Sequence, residues 1–382
     1  MARGFRNFSD FAFIQEVDKR RFLEPLLRPF KAYFRRQGIN IRALKNTDED
    51  DRRLLGVFTQ PDEEMPGRLL EALFVLDDLA DEAGHDRLMD EARRQGVSLS
   101  SLIGKNLSPG EFAIGVYLSF PDVVREAQER TLSRKMKTYE EYQASGDKRV
   151  TLEIARSKRE ALEKPMARWF EKNDRSRACE IYVYEEDDEI HFEITHGRLF
   201  KTDSSIDKAL RRSRVGYRPQ KHDSVVYDRR RGTLKINAQT EKEKRLYRTV
   251  TGDVLFGDED YFPAGRFYTL KPLRRSEPSL KLVDGLRGAR LTEVWIEHDA
   301  VGEFVQISRA RDLLEMARIA GNPRLAAGSL VRASFFLRYE SGGRSRKVEV
   351  RPPNVAIYDR AREASITEAF LAKNGFLQRP KE

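Results

Sequence analysis

Cysteine is almost missing from this 382-residue chain. Cys179 stands alone, so no intramolecular disulfide can form and no zinc site can be assembled from several thiolates. A reducing compartment fits that scarcity. Long apolar runs are missing too. Met1–Arg20 alternates aromatic and charged residues, which excludes a signal peptide or a membrane span there, and no later segment supplies a span. The expectation is a cytoplasmic protein of bacterial type with no membrane partner. Histidine is sparse, at five, and His85, His191, His196, His222 and His298 fall in no HExxH or other metal-binding spacing. There is no P-loop, dinucleotide fingerprint, ATP-binding set or nucleophile elbow.

What the chain has is charge, and its placement is uneven. The net charge is +9, and Lys201–Arg275 holds 19 Lys and Arg against 10 Asp and Glu, so this one segment carries the whole surplus. A basic segment in an otherwise balanced chain is the footprint of a phosphate-rich partner, or of an acidic protein surface. Apolar residues make up 39%, enough for packed cores, and the length exceeds one typical core, so two domains are expected.

The periodicity divides the chain in the same way. Phe22, Leu23, Leu26, Leu27, Phe30, Tyr33 and Phe34 recur at helical spacing before Gly38, with Pro25 and Pro29 bending the element or marking its start. Leu69–Leu79 repeats the pattern after Pro66. Ser108-Pro109-Gly110-Glu111 has the form of a capping box, and a basic helix is predicted over Leu152–Trp169. From Cys179 the period becomes two. Hairpins are predicted at 180–194 around Asp187-Asp188 and at 224–236 around Arg229–Gly232, with a short helix at Ile206–Arg212 between them. Thr240 and Glu243 cap a following helix. Hairpins at 291–308 and 330–351, and helices at 310–320 and 364–373, then repeat the order. The fold class is therefore α+β: a helical scaffold or partner-binding domain over 1–172, then a basic domain of hairpins and helices over 173–382. The order reads as a duplicated ββαββα unit with halves 179–270 and 285–376.

Chemistry could sit in few places. His191 and His196 lie an odd step apart on one strand, which aims them at opposite faces. Asp223, Asp228 and Lys235 flank a hairpin in the manner of Mg²⁺-dependent nucleases, which set an aspartate before one strand and Glu-x-Lys on the next. Thr233 stands where the second acid belongs, so that chemistry lacks a metal ligand. The loop Gly252–Phe262 has an acidic triplet at 258–260 but matches neither a P-loop nor a calcium loop; it reads as a turn packed by Phe256 and Phe262. Arginines and lysines recur at Arg211, Arg212 and Arg214, at the hairpin tip Arg229, Arg230 and Arg231, and at Lys242, Lys244, Arg245 and Arg248. Tyr217 and Tyr247 lie among them. Guanidinium forks suit phosphates and tyrosine rings suit bases.

The sequence thus points to a non-catalytic nucleic-acid-binding protein without a cofactor, a subunit working with a separate enzyme as in a bacterial genome-maintenance or defence system. The helical domain would contact that partner. A Mg²⁺-dependent nuclease using Asp223, Asp228 and Lys235, and an adaptor that meets an acidic protein, are the alternatives.

Overall fold

The computed structural model describes residues 4–102, 106–206, 211–275, 278–298, 304–320, 328–360 and 362–378. The chain is α+β, helical first and sheet-rich second. It divides into two compact units, Met1–Thr131 with Ile206–Arg212, and Leu132–Ser205 with Ser213–Glu382. The division falls before residue 172, because a strand at 138–143 and helices over 152–172 belong to the sheet unit. No helix among the described residues is long and apolar enough to cross a membrane.

In the first unit proline decides where helices break. After α1 (Phe11–Glu16) come a π turn at Lys19–Leu23, α2 (Glu24–Leu27), a 3-10 turn at Arg28–Phe30 and α3 (Lys31–Arg36). Pro25 and Pro29 each lack an amide donor, so the run predicted as one bent element is divided into short pieces. Gly38 follows at φ 74°, the left-handed stop. Then come α4 (Asp48–Thr59), α5 (Gly67–Leu79), α6 (Glu82–Arg94), α7 (Pro109–Ser119) and α8 (Pro121–Lys135). The α7 capping box is complete: the Glu111 amide donates to Ser108 Oγ, and the Ser108 amide to Glu111 Oε2, both at 3.2 Å. One core gathers Phe8, Phe34, Phe58, Leu73 and Ile114. Within this unit Lys19 is fully buried, its Nζ 2.7 Å from Asp51 Oδ1 and donating to the carbonyls of Ile14 and Gln15.

The second unit begins with β1 (Thr138–Gln143), α9 (Leu152–Ser157) and α10 (Arg159–Lys172). Next are β2 (Cys179–Glu186), β3 (Glu189–Gly197), β4 (Lys201–Ile206), β5 (Arg212–Tyr217), β6 (Gln220–Asp228), β7 (Thr233–Asn237) and α11 (Glu241–Thr251). The chain ends with β8 (Leu286–His298), β9 (Phe304–Arg309), α12 (Leu313–Ile319), β10 (Ser329–Tyr339), β11 (Arg346–Arg351), β12 (Val355–Ile357) and α13 (Ala364–Lys373). Ten strands form one antiparallel sheet in the order β2-β3-β6-β7-β1-β12-β11-β10-β8-β9, and β4 and β5 form a separate ribbon.

Two expectations change here. The ends of the helix expected at Ile206–Arg212 are strand instead: Ile206 ends β4 and Arg212 begins β5, while 207–210 lie outside the described residues. The recurring element order also does not carry over to pairing. In the first half the second strand, β3, bonds to the third, β6; in the second half the first strand, β8, bonds to the third, β10, leaving β9 at the edge. The halves thus do not share one ββαββα connectivity.

Register fixes which face each half buries. Directly opposed residues of antiparallel strands point the same way. Leu234 and Ile236 of β7 oppose Tyr142 and Glu140 of β1, and they pack with Phe192, Val225 and Tyr227 against Leu162 and Phe170 of α10 and Tyr247 of α11. Tyr139 belongs to the other face. It opposes Ala356, which opposes Val350, which opposes Ala333. That face of the second half packs Phe335, Val348 and Val350 with Phe370 and Leu371 of α13. The sheet is therefore continuous, but its two halves are covered on opposite sides.

The buried pair in the first unit gives a direct test. Asp51→Ala should leave the Lys19 ammonium buried without its counter-charge and cost about 3–5 kcal/mol of stability, read by denaturant unfolding. The double change Lys19→Met with Asp51→Leu should recover most of that loss. Equal losses in both variants would show that packing, not charge, is at stake.

Candidate functional site

The first half of the sheet has one apolar face and one that is densely charged. On β3 and β6, Glu189 opposes Asp228, His191 opposes Val226, Glu193 opposes Ser224 and Thr195 opposes His222; on β7 Lys235 opposes both Val226 and Glu141. All of these side chains share the face away from α10 and α11. Asp223 opposes Ile194 and so lies on the helix-covered face. Asp223 and Asp228 therefore point to opposite sides of β6, and the metal pair expected of the nuclease reading does not form.

Lys235 is the hub of the charged face. Its Nζ donates to Glu189 and to Glu368 of α13, the latter at 3.0 Å, and lies 3.7 Å from Asp228 Oδ2. Arg231 Nη1 reaches Glu368 Oε2 at 2.8 Å, and Tyr358 donates to Glu368 Oε1 at 2.7 Å. Arg360 lies over the rings of Tyr358 and Tyr139 and donates to Glu141 Oε1 at 2.9 Å, where Tyr268 also donates at 2.7 Å. Burial alone would raise the Glu368 pKa; the fields of Lys235, Arg231 and Arg360 outweigh it and hold the carboxyl at about 2. Burial alone would lower Lys235, and Glu368, Glu189 and Glu141 reverse that, raising its pKa. At Asp228 burial wins over Lys235, and its pKa rises.

These groups floor a cavity of about 610 Å³, lined among others by Tyr184, His191, Asp228, Lys235, Arg360 and Glu368. A lysine held charged by carboxylates is neither a nucleophile nor a base. Its ammonium sits at the centre where carboxylates holding a divalent ion would place that ion. Beside it Glu193 is fully buried, 3.4 Å from His222 Nε2 and 3.7 Å from His191 Nδ1. Burial would raise its pKa, and bonds to the two histidines instead bring it to about 2.

On the opposite face His196, Asp223 and Glu243 bring one ligand atom each within 4.8 Å of one another, the sole such group among the described residues. The chain supplies their cations itself. Lys221 Nζ lies 2.7 Å from Glu243 Oε1 and 3.2 Å from Asp223 Oδ1, and Arg175 pairs with Glu243. His196 Nε2 is 3.0 Å and the Tyr247 hydroxyl 2.7 Å from Asp223 Oδ2. Two carboxylates meet two cations, so the cluster ties α11 to the sheet without needing a metal. Burial, reinforced by the charge of Asp223, lifts the Tyr247 pKa well above its ordinary value, and its buried ring offers no face to a base. His191 and His196 do point to opposite faces, one stacked on Tyr184 and the other on Phe170. The 252–262 loop is a packed turn in which Phe256 stacks on Tyr261 and meets Phe262 edge-on.

The basic residues differ in how far they are exposed. Arg229 pairs with Glu185, Arg231 with Glu368, and Lys244 with Glu140 and Glu241, while Arg248 lies over the Tyr142 ring. The hairpin tip is thus not a bare cluster of three arginines, since only Arg230 of the three is exposed. Lys242 and Arg245 are exposed on α11, on the side of the sheet opposite the cavity that Arg230 lines. Arg211, Arg212 and Arg214 are exposed at the ribbon.

That ribbon, whose tip at Ile206–Arg212 is grouped with the first unit, is little covered. Every residue of β5 is exposed, and β4 alternates between exposed and half-buried. Tyr217 donates to Asp203 Oδ2 at 2.7 Å, and Lys201 Nζ lies 2.9 Å from the same carboxylate, so these three share one face. A Cβ on Gly216 would lie 2.4 Å from the Phe200 ring, which places Phe200 on the other face. By strand alternation Arg212 and Arg214 share that face with Gly216, and Thr202 and Ser204 with Phe200. The Arg218 guanidinium lies 5.9 Å from the Phe200 ring and donates to the carbonyl of Asp174 at 2.7 Å, fixing the ribbon base. One face therefore presents two arginines and two hydroxyls. Sequence reasoning named these arginines but assigned them to a helix end, and it missed Glu189, Glu368 and Arg360, which no local motif connects to Lys235. Neither the protein-family models nor the curated proteins include a match to this chain.

Acid should unlock the charged clusters. Glu193, Glu243 and Glu368 are each held at about 2 against an ordinary 4.5, so the stability they contribute is complete above about pH 4.5 and is lost as pH falls toward 2. The Tm measured by circular dichroism should drop steeply across that window and less steeply in Glu243→Gln. A flat profile in the wild type would refute the ion-pair account.

Proposed function

We propose that the protein binds nucleic acid through the β4–β5 ribbon and acts without catalysis of its own, beside a separate enzyme contacted through the helical unit. The observation that carries this reading is the ribbon's arginine face. Arg198–Arg218 holds seven Lys and Arg against two Asp, and Arg212 and Arg214 are both exposed on one side of a structure with no apolar cover. A two-stranded ribbon is marginal in water by itself. This one exposes Phe200, Ile206, Val215 and Tyr217 as well, a composition suited to an external partner with phosphates at its rim.

The sheet supports the non-catalytic part. Asp223 and Asp228 diverge, Lys235 is saturated by Glu189 and Glu368, and the His196 cluster is neutralised by Lys221 and Arg175. Each ionisable group that the nuclease alternative would recruit is already engaged in holding strands and helices together.

Binding should fall steeply with salt, because each neutralised phosphate releases a counterion. Arg212→Ala with Arg214→Ala should flatten the slope of log affinity against log salt by about 2, at roughly 0.9 per phosphate contact. Filter binding over a salt series measures it. An unchanged slope removes the ribbon from the interface, and absence of binding by the wild type ends the proposal.

A further inference from the structure

Resting on that reading, we infer that the ribbon's target is duplex DNA, entered through the major groove. The reasoning begins with shape. Two paired strands lie about 4.8 Å apart, and six residues extend about 20 Å, so β4 and β5 form a narrow blade. The B-DNA major groove, about 12 Å wide and 8.5 Å deep, admits a two-stranded ribbon without distortion, whereas a minor groove about 6 Å wide must first be widened. The major groove of A-form RNA is too deep and narrow for side chains to read.

The side chains point the same way. Arg212 and Arg214, two residues apart on one face, stand about 7 Å from each other. Their planar forks match the paired acceptors on a guanine edge or a phosphate. Thr202 and Ser204 add hydroxyls that accept or donate. The opposite face, with Val215 and the Tyr217 ring beside Lys201, offers apolar contact to sugars and thymine methyls.

Single strands fit less well. Proteins that bind them use open aromatic platforms along a basic groove. Here both ribbon aromatics are engaged: Phe200 is packed against Gly216 with Arg218 near its ring, and the Tyr217 hydroxyl is bound to Asp203 with Lys201 near its ring. Both rings stay partly exposed, but they lie on opposite faces of the ribbon and form no continuous stacking platform.

The test uses the full chain with four fluorescent probes of matched sequence: duplex DNA, duplex RNA, single-stranded DNA and single-stranded RNA. Anisotropy at one salt concentration should rank duplex DNA tightest by about tenfold or more, with methyl green in the major groove competing and netropsin in the minor groove not. Arg212→Lys with Arg214→Lys keeps the charge and removes the forks, so it should retain the salt slope while narrowing the preference among duplex sequences. An unchanged melting curve shows that each variant is folded. Equal or tighter binding to RNA or to single strands, still lost in the double alanine variant, would overturn the duplex-DNA assignment and leave the ribbon reading standing. No binding to any probe would overturn both.

Discussion

The ammonium of Lys235 is the charge around which the sheet unit closes. It is contributed by β7, near the middle of the ten strands, and its partners come from β3, β6 and α13. A lysine stripped of water in that position is tolerable only if carboxylates replace the hydration it loses, and removing one member of such a set leaves a buried charge exposed to the full desolvation cost. The requirement constrains three elements at once. Glu368 must face the sheet, so α13 has one allowed rotation about its axis; Glu189 and Asp228 must stand opposite each other, so the β3–β6 register cannot slip. A slip of one residue would turn Glu189 and Glu193, or Asp228, toward the apolar core.

Around that constraint the two half-sheets solve their burial problem differently. The first packs Phe192, Val225 and Leu234 beneath α10 and α11, and the second packs Phe335, Val348 and Val350 beneath α13 on the reverse side. Each half retains a polar face on which charged side chains pair with one another. In the second half this face joins Arg332 to Glu349 at 2.6 Å, with the guanidinium over Trp295. The change of side occurs at β1 and β12, where Tyr139 and Glu141 look toward Arg360 while Tyr142 turns to the other core.

Local signals carried much of this architecture and long-range ones did not. The capping boxes at Ser108 and Thr240 and the hairpins on either side of Asp187 and Gly232 stand in the structure as the sequence implied, because each is decided by neighbouring atoms. The ribbon strands were missed because Lys201–Ile206 and Arg212–Tyr217 are short and largely exposed, and no apolar alternation marks them. β1 and β12 were missed because Tyr139 and Ala356 pair across most of the second unit, and such a pairing leaves no periodic trace. The Asp223–Asp228 disagreement was avoidable. The parity rule that parts His191 from His196 parts these two aspartates as well, since both intervals are odd.

The pairing of β1 with β12 also has a meaning in time. A ribosome releases Thr138–Gln143 long before Val355–Ile357, so the growing chain can complete the β2-β3-β6-β7-β1 half while the outer edge of β1 has nothing to bond. An open edge invites pairing with another chain. Here the waiting strand reads Thr-Tyr-Glu-Glu-Tyr-Gln, with two consecutive carboxylates that would have to be desolvated in any wrong partnership. The late arrival of Arg360, three residues after β12, provides Glu141 with its cation as the edge is sealed. The carboxylate that would penalise a wrong partner on the open edge is the one that, once synthesis is finished, fastens one half of the sheet to the other.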